Sequence, residues 1–171
     1  TVRGIERDGF PVAYQMHTEV EGRVPVTMAK STGAAITELA NAFYNFKPDI
    51  VVVHGDRYEA LAAATAASLM NITVAHIQGG EVSGTIDEHI RHAVTKLSHL
   101  HFPSTEEAGK RIIAMGEVAQ NVHMTGCPAS DVLLRTRPMS FSELKKKIIP
   151  LVRKEEWKKQ FLTEDESKDE V

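Results

Sequence analysis

The sequence predicts an α/β fold built on an open parallel sheet, Rossmann-like in type. Short runs rich in β-branched residues alternate with longer, Ala-rich amphipathic stretches. The strand-like run Ile50-Val51-Val52-Val53 is apolar without alternation, as in parallel strands covered by helices on both faces. The order strand, helix, strand, helix repeats along the chain, and right-handed βαβ units of that kind build such a sheet.

Each element has its own justification. Pro11 to Val20 reads as a strand. From about Val26 to Phe46, Ala35, Leu39, Ala42, Phe43 and Phe46 recur at helical spacing, and Pro48 ends the run. Asp49 to His54 is the next strand, Tyr58 to Met70 an Ala-rich helix suited to close packing, and Ile72 to Ile77 a second buried strand. Gln78-Gly79-Gly80 forms a tight exit loop. Thr85 with Glu88 three residues on fits a capping box for a helix from Ile86 to about Leu97. Leu100 to Phe102 is a short strand. Ser104 or Thr105 caps a helix over Glu106 to Met115, stopped by Gly116. Val122 to Thr125 reads as the last strand, and Cys127-Pro128 opens a helix through Leu134. The fold is thus expected over residues 1–134, with residues 135–171 a charged helical tail. In it a helix over Phe141 to Leu162 carries Trp157 and is kinked at Pro150, and the acidic end Thr163 to Val171 is expected to be disordered.

Composition narrows the function classes. The 171 residues are 42% hydrophobic and 25% charged, which excludes disordered, collagen-like and disulfide-stapled chains. The single cysteine, Cys127, points to a reducing compartment, and a cytoplasmic location is expected. No apolar run reaches the roughly 18 residues that span a bilayer, so no membrane partner is expected. The net charge of −3, with the lysines of the tail balanced by glutamates, gives no support for nucleic-acid binding. No cofactor motif is present, and His89/His92 and His99/His101 lack a third ligand at a recognised metal spacing.

Ligands of open parallel sheets gather outside the carboxyl ends of the strands. That rule selects three loops: His54-Gly55-Asp56-Arg57, the stretch His76 to Gly84, and Gly126-Cys127-Pro128. Asp56 reads either as an acid/base group or as the N-cap of the helix that follows. Arg57 carries a planar fork suited to phosphate oxygens. Gly79 and Gly80 let backbone N–H groups approach a ligand. Asp87 and Arg91, four apart on a helix, read as a surface ion pair, as does Glu88 with Arg91 or His92. Cys127 reads as a buried structural thiol.

The stretch HGDRYEALAAATAASLMNITVAHIQGGEVSGTIDEHIRHAVTKLSHLHF, followed by TGCPASDVLL, resembles the hydrolysing UDP-N-acetylglucosamine 2-epimerases of the sialic-acid-pathway type. The resemblance covers roughly Thr1 to Leu134 and rests on HGDR, the HI-x-GGE-x-SGTID loop, IRHA-x-TKL and GCP, in order. It implies part of the N-terminal half of a GT-B fold, two Rossmann-like halves facing across a cleft that binds a UDP-sugar. The implied reaction removes the C2 proton of UDP-N-acetylglucosamine, expels UDP and hydrates the glycal to N-acetylmannosamine. Carried over by residue, Asp56, Asp87 and Glu81 are implied as acid/base groups and Arg57 as a contact to the UDP part. His76, Gln78, Gly79, Gly80 and Ser83 are implied to line the sugar side. Many members of the family have a glutamate where this chain has Gln78, and an amide cannot shuttle protons. The alternatives are the same chemistry on a different UDP- or GDP-amino sugar, or an inactive truncated fragment.

The resemblance also implies a missing second Rossmann half as partner, and a missing Arg-x-Asp strand before Thr1. If the family's strand order holds, the strands missing from this chain, two in number, would lie in the sheet between Pro11–Val20 and Asp49–His54. Without them the sheet would expose apolar edges, and marginal stability or a homo-oligomer is expected.

Overall fold

The computed structural model describes residues 2–22 and 24–151. It divides into two compact units, residues 1–127 and 128–171. In the first unit the elements run α1 (Val2–Arg7), α2 (Pro25–Phe46), β1 (Ile50–His54), α3 (Tyr58–Leu69), β2 (Thr73–Ile77), α4 (Ile86–Lys96), β3 (Leu100–Phe102) and α5 (Glu106–Ala114). The strands form a parallel sheet in the order β1-β2-β3, with Val53 opposite His76 and His76 opposite His101. The fold class is α/β, as expected.

Local chemistry sets the boundaries. Pro25 occupies the first turn of α2, where a missing N–H costs nothing, and Lys47 closes that helix in the left-handed region before Pro48. Asn71 takes positive φ after α3. Thr105, rather than Ser104, caps α5 by accepting from Ala108 N–H at 3.2 Å, and Gly116 at φ 95° ends it. Thr85 caps α4 as expected, accepting from Asp87 N–H. The expected capping box is not formed. Glu88 instead accepts from Ser83 N–H at 2.9 Å and Gly84 N–H at 2.7 Å, so it organises the loop before the helix.

The core is Val51, Val53, Ala64, Ala67, Val74, Ile90 and Val94, with Phe43, Leu61 and Leu97 packed against it. Full burial of one such valine or isoleucine contributes about 1.5–3 kcal/mol. Alanines on α3 let it lie close to the sheet, with Ala62, Ala64 and Ala67 fully buried.

Three expectations are corrected. Pro11–Val20 is not a strand: it has no regular structure and is mostly exposed. A strand needs a partner, and among the described residues the segment's contacts include Val20 N–H to Ser31 Oγ and Tyr14 edge-on against Phe46, with no ladder to a strand. The cover anticipated on both faces of β1 is present on one, since Val51 and Val53 are buried while Ile50 and Val52 are 49% and 62% exposed. Val122–Thr125 forms one parallel bridge, His101 to Val122, and not a strand. A 3₁₀ turn at Ala119–Asn121 precedes it, and the segment's bonds to the β3 end are His123 N–H to His101 O and Thr125 N–H to Pro103 O.

The second unit contains α6 (Pro128–Arg135) and α7 (Phe141–Ile148), the latter opened by a capping box between Ser140 and Glu143. A 3₁₀ turn over Ile149–Leu151 holds Pro150, where the kink was expected. The continuation to Leu162, Trp157 and the acidic end lie outside the described residues. Among the described residues no helix is long and apolar enough to cross a membrane.

Candidate functional site

The exits of β1 and β2 are knitted together by the backbone. Gly55, at φ 78°, donates its N–H to Ile77 O at 3.0 Å, and Gln78 N–H donates to Phe102 O at 2.9 Å. From this frame the loop after β1 presents Asp56 and the loop after β2 presents Glu81. Both carboxylates meet Arg91, which α4 sends back toward the sheet. Arg91 Nη2 pairs with Asp56 Oδ2, and Nη1 donates to Glu81 Oε2 at 2.8 Å and to the Gln78 carbonyl at 3.3 Å. The arginine is 7% exposed. Guanidinium forks suit such shared carboxylates, and removing one member of a buried pair leaves a costly uncompensated charge.

Asp56 therefore does not cap α3. The N-cap is Arg57, which makes no side-chain cap bond, and the Asp56 carboxylate is turned to Arg91. Arg91 was read from the sequence as a surface partner of Asp87 and is instead the buried centre of the site. The signal available was its place beside Ile90, Val94 and Thr95, which together form the buried stripe of α4.

Beneath the loop lies His76, fully buried. Its Nε2 is 2.8 Å from Gly55 O, and Thr95 Oγ1 is 3.3 Å from Nδ1. Burial pushes the imidazole down to about 4, outweighing the bond to the Gly55 carbonyl, so it is neutral near pH 7 and donates from Nε2. His76 acts on the site through the Gly55–Asp56 backbone. The glycines of the next loop have packing reasons of their own. A Cβ on Gly79 would lie 2.8 Å from His76 Nδ1, and one on Gly80, at φ 77°, 2.4 Å from Ala108 O. Both are buried, and Arg111 donates to Gly80 O.

The remaining residues sit around this cluster. Arg57 is exposed, its Nε 3.4 Å from Glu59 and its guanidinium over the Tyr58 ring, and Glu59 raises its pKa. Asp87 lies half-buried in the first turn of α4, where its charge is felt at Arg57. Ser83 gives its N–H to Glu88, and the N–H groups of Gly84 and Ser83 hold that carboxylate below its ordinary range. Two residues that the sequence placed in the selected loops without a site role join the site: His54 Nε2 is 2.6 Å from Gln78 Oε1, and Gln78 Nε2 donates to Cys127 Sγ at 3.2 Å. Cys127 is half-buried beside that amide. The site thus gathers carboxylates and donors from separate strand exits, as proton transfer at a polar ligand requires.

Comparison with known proteins decides the family. The family model described as UDP-N-acetylglucosamine 2-epimerase matches residues 3–163. The chain belongs to the UDP-N-acetylglucosamine 2-epimerase family. It is 37% identical over 145 residues to the UDP-N-acetylglucosamine 2-epimerase of Neisseria meningitidis serogroup B, covering 85% of this chain and 38% of that one. It is 40% identical over 135 residues to the UDP-N,N'-diacetylbacillosamine 2-epimerase (hydrolyzing) of Legionella pneumophila, covering 79% and 36%. A crystal structure of a UDP-N-acetylglucosamine 2-epimerase superposes with a TM-score of 0.65 at 29% identity, over 77% of this chain and 38% of that one. The Methanocaldococcus jannaschii 2-epimerase, solved with UDP-GlcNAc and UDP, gives a TM-score of 0.72 at 24% identity over 84% and 41%, a likeness of fold. The chain spans about two-fifths of the length of these 2-epimerases. The Rossmann-like part of a GT-B fold expected from the sequence is what these superpositions support.

Proposed function

We propose that the strand exits form the N-terminal side of the active site of a hydrolysing UDP-N-acetylglucosamine 2-epimerase, with the second Rossmann-like half across the cleft. The observation that carries this reading is the convergence of Asp56 and Glu81, from two strand exits, on the buried Arg91. In the proposed reaction a carboxylate among Asp56, Glu81 and Asp87 takes the C2 proton. The C2–H electron pair becomes the C1–C2 double bond as the C1–O bond to UDP breaks. Water then adds at C1 while a proton returns to C2 on the opposite face, giving N-acetylmannosamine. Arg57, exposed at the start of α3, contacts the diphosphate in this reading. Ser83 and the Gln78–Gly80 turn bound the sugar side, with His76 holding the turn from below.

The test is to incubate a family-length form of the protein with UDP-N-acetylglucosamine in D2O. Free UDP and N-acetylmannosamine carrying deuterium at C2 are expected. UDP with unlabelled N-acetylglucosamine would mean plain hydrolysis and overturn the reading.

A second reading is favoured by the 40% identity to the UDP-N,N'-diacetylbacillosamine enzyme. In that reading the same chemistry acts on UDP-N,N'-diacetylbacillosamine. Competition between the two nucleotide sugars separates the readings through the ratio of their kcat/KM values.

A further inference from the structure

We propose that Gln78 is a positioning residue whose amide clamps His54 as the Nε2–H tautomer, leaving Nδ1 as a lone-pair acceptor at the strand exits. The site is the one assigned above, and only the placing of this acceptor beside a sugar rests on that reading.

Gln78 is the residue immediately after β2 and holds φ at 62°, a backbone conformation that side chains other than glycine seldom take. Such a conformation persists where its surroundings over-determine it. Here its N–H donates to Phe102 O at 2.9 Å and its carbonyl accepts from Arg91 at 3.3 Å. With the backbone fixed on two sides, the side chain spans from His54 at the exit of β1 to Cys127. Its Oε1 lies 2.6 Å from His54 Nε2, and its Nε2 donates to Cys127 Sγ at 3.2 Å.

The chemistry of the two ends fixes the tautomer. In the structure the NH2 end faces sulfur and the oxygen faces the imidazole. Two acceptors do not sit at 2.6 Å, so His54 Nε2 carries the hydrogen. Nδ1 of the neutral ring then carries the lone pair, and it makes no hydrogen bond among the described residues. His54 is exposed, so that lone pair is open to a ligand.

An amide suits both neighbours at once, accepting toward His54 and donating toward the sulfur. A carboxylate at this position could accept from His54 but could not donate to Cys127. Gln78 therefore ties three strand exits without moving a proton itself, and the loop bearing Asp56 is held from above by His54 as it is held from below by His76.

The test reads tautomers directly, by long-range 15N–1H correlation of the histidine rings in the 171-residue chain above the imidazole titration range. His54 is expected to show the Nε2–H pattern in the wild type and in Gln78→Glu. In Gln78→Leu and in Gln78→Asn, which tolerates positive φ but is too short to reach the ring, His54 is expected to relax to the mixed population of an unclamped histidine, with a detectable Nδ1–H fraction. The buried His76 keeps its own Nε2–H pattern in every variant that folds and serves as the internal control. An Nδ1–H pattern for His54 in the wild type, or an unchanged pattern in both the Leu and Asn variants, would overturn the proposal. The readout involves no substrate. A protein that shows the clamp but releases UDP from no nucleotide sugar would refute the proposed function alone.

Discussion

At the carboxyl ends of the strands Arg91 binds two carboxylates, Asp56 and Glu81, from two different loops. At the opposite end, where α4 and α5 terminate, a single carboxylate serves two cations or potential cations. Glu117 pairs with Lys96 at 2.5 Å, and its other oxygen lies 3.4 Å from Nε2 of the buried His101. The first cluster has carboxylate in excess and draws on the loops after β1 and β2. The second ties two helix ends to a strand, and its lysine is half exposed. Charge of the first kind is what the proposed reaction needs, and charge of the second kind fastens elements of the fold. On the proposed reading, the same sheet thus separates a working end from a fastening end.

The largest break in that contrast is expected from Arg91→Met. It leaves two carboxylates without their shared cation in a mostly buried site, and a loss of about 3–5 kcal/mol is expected. Urea unfolding checks it through the midpoint at constant slope. A loss under about 1 kcal/mol would place Arg91 with ordinary surface arginines.

Next in size is the pH response of the working end. The folded pKa of His76 is about 4 against 6.5 for the free side chain. Between those values the unfolded chain binds a proton that the folded chain refuses, so stability falls as pH drops through this window and levels off below about pH 4. The contribution is on the order of 3 kcal/mol. His76→Gln retains an N–H for the Gly55 carbonyl and is expected to flatten this part of the stability profile. An identical profile would show that the buried imidazole is not the source. At the fastening end, burial lowers His101 in the same direction while Glu117 opposes it. Glu117→Gln is expected to cost about 1 kcal/mol, the smallest effect of the set.

The sequence revealed the helices most fully, because Pro48, Gly116 and the capping threonines act locally and do the same work in the fold. The parallel sheet was legible in the apolar runs at β1 and β2. The strands assigned at Pro11–Val20 and Val122–Thr125 failed because pairing is non-local: β-branched residues state a preference, and only a neighbouring strand realises it. The site was legible as loops but not as contacts. Asp56 and Glu81 were named from their positions after strands and from resemblance. Their meeting at Arg91 depends on α4 turning residue 91 toward the sheet, and helical spacing alone fitted a pair with Asp87 equally well. Gly79 and Gly80 read as room for a ligand, whereas the close approach they permit is to His76 and to α5. His54 and Cys127 were legible as members of the HGDR and GCP loops, but their link through Gln78 was not, since it spans 24 and 49 residues of sequence.

The most direct test of the working end is Asp56→Asn in a family-length form of the protein, assayed by UDP release from UDP-N-acetylglucosamine. The amide keeps the shape and one acceptor for Arg91, so folding is expected to survive. Turnover is expected to fall by about 10²–10⁴-fold, the usual worth of a positioned acid/base group. Activity within about tenfold of the wild type, roughly 1.4 kcal/mol in the barrier, would contradict it and make the Asp56–Arg91 pair a structural fastening like the one at the other end.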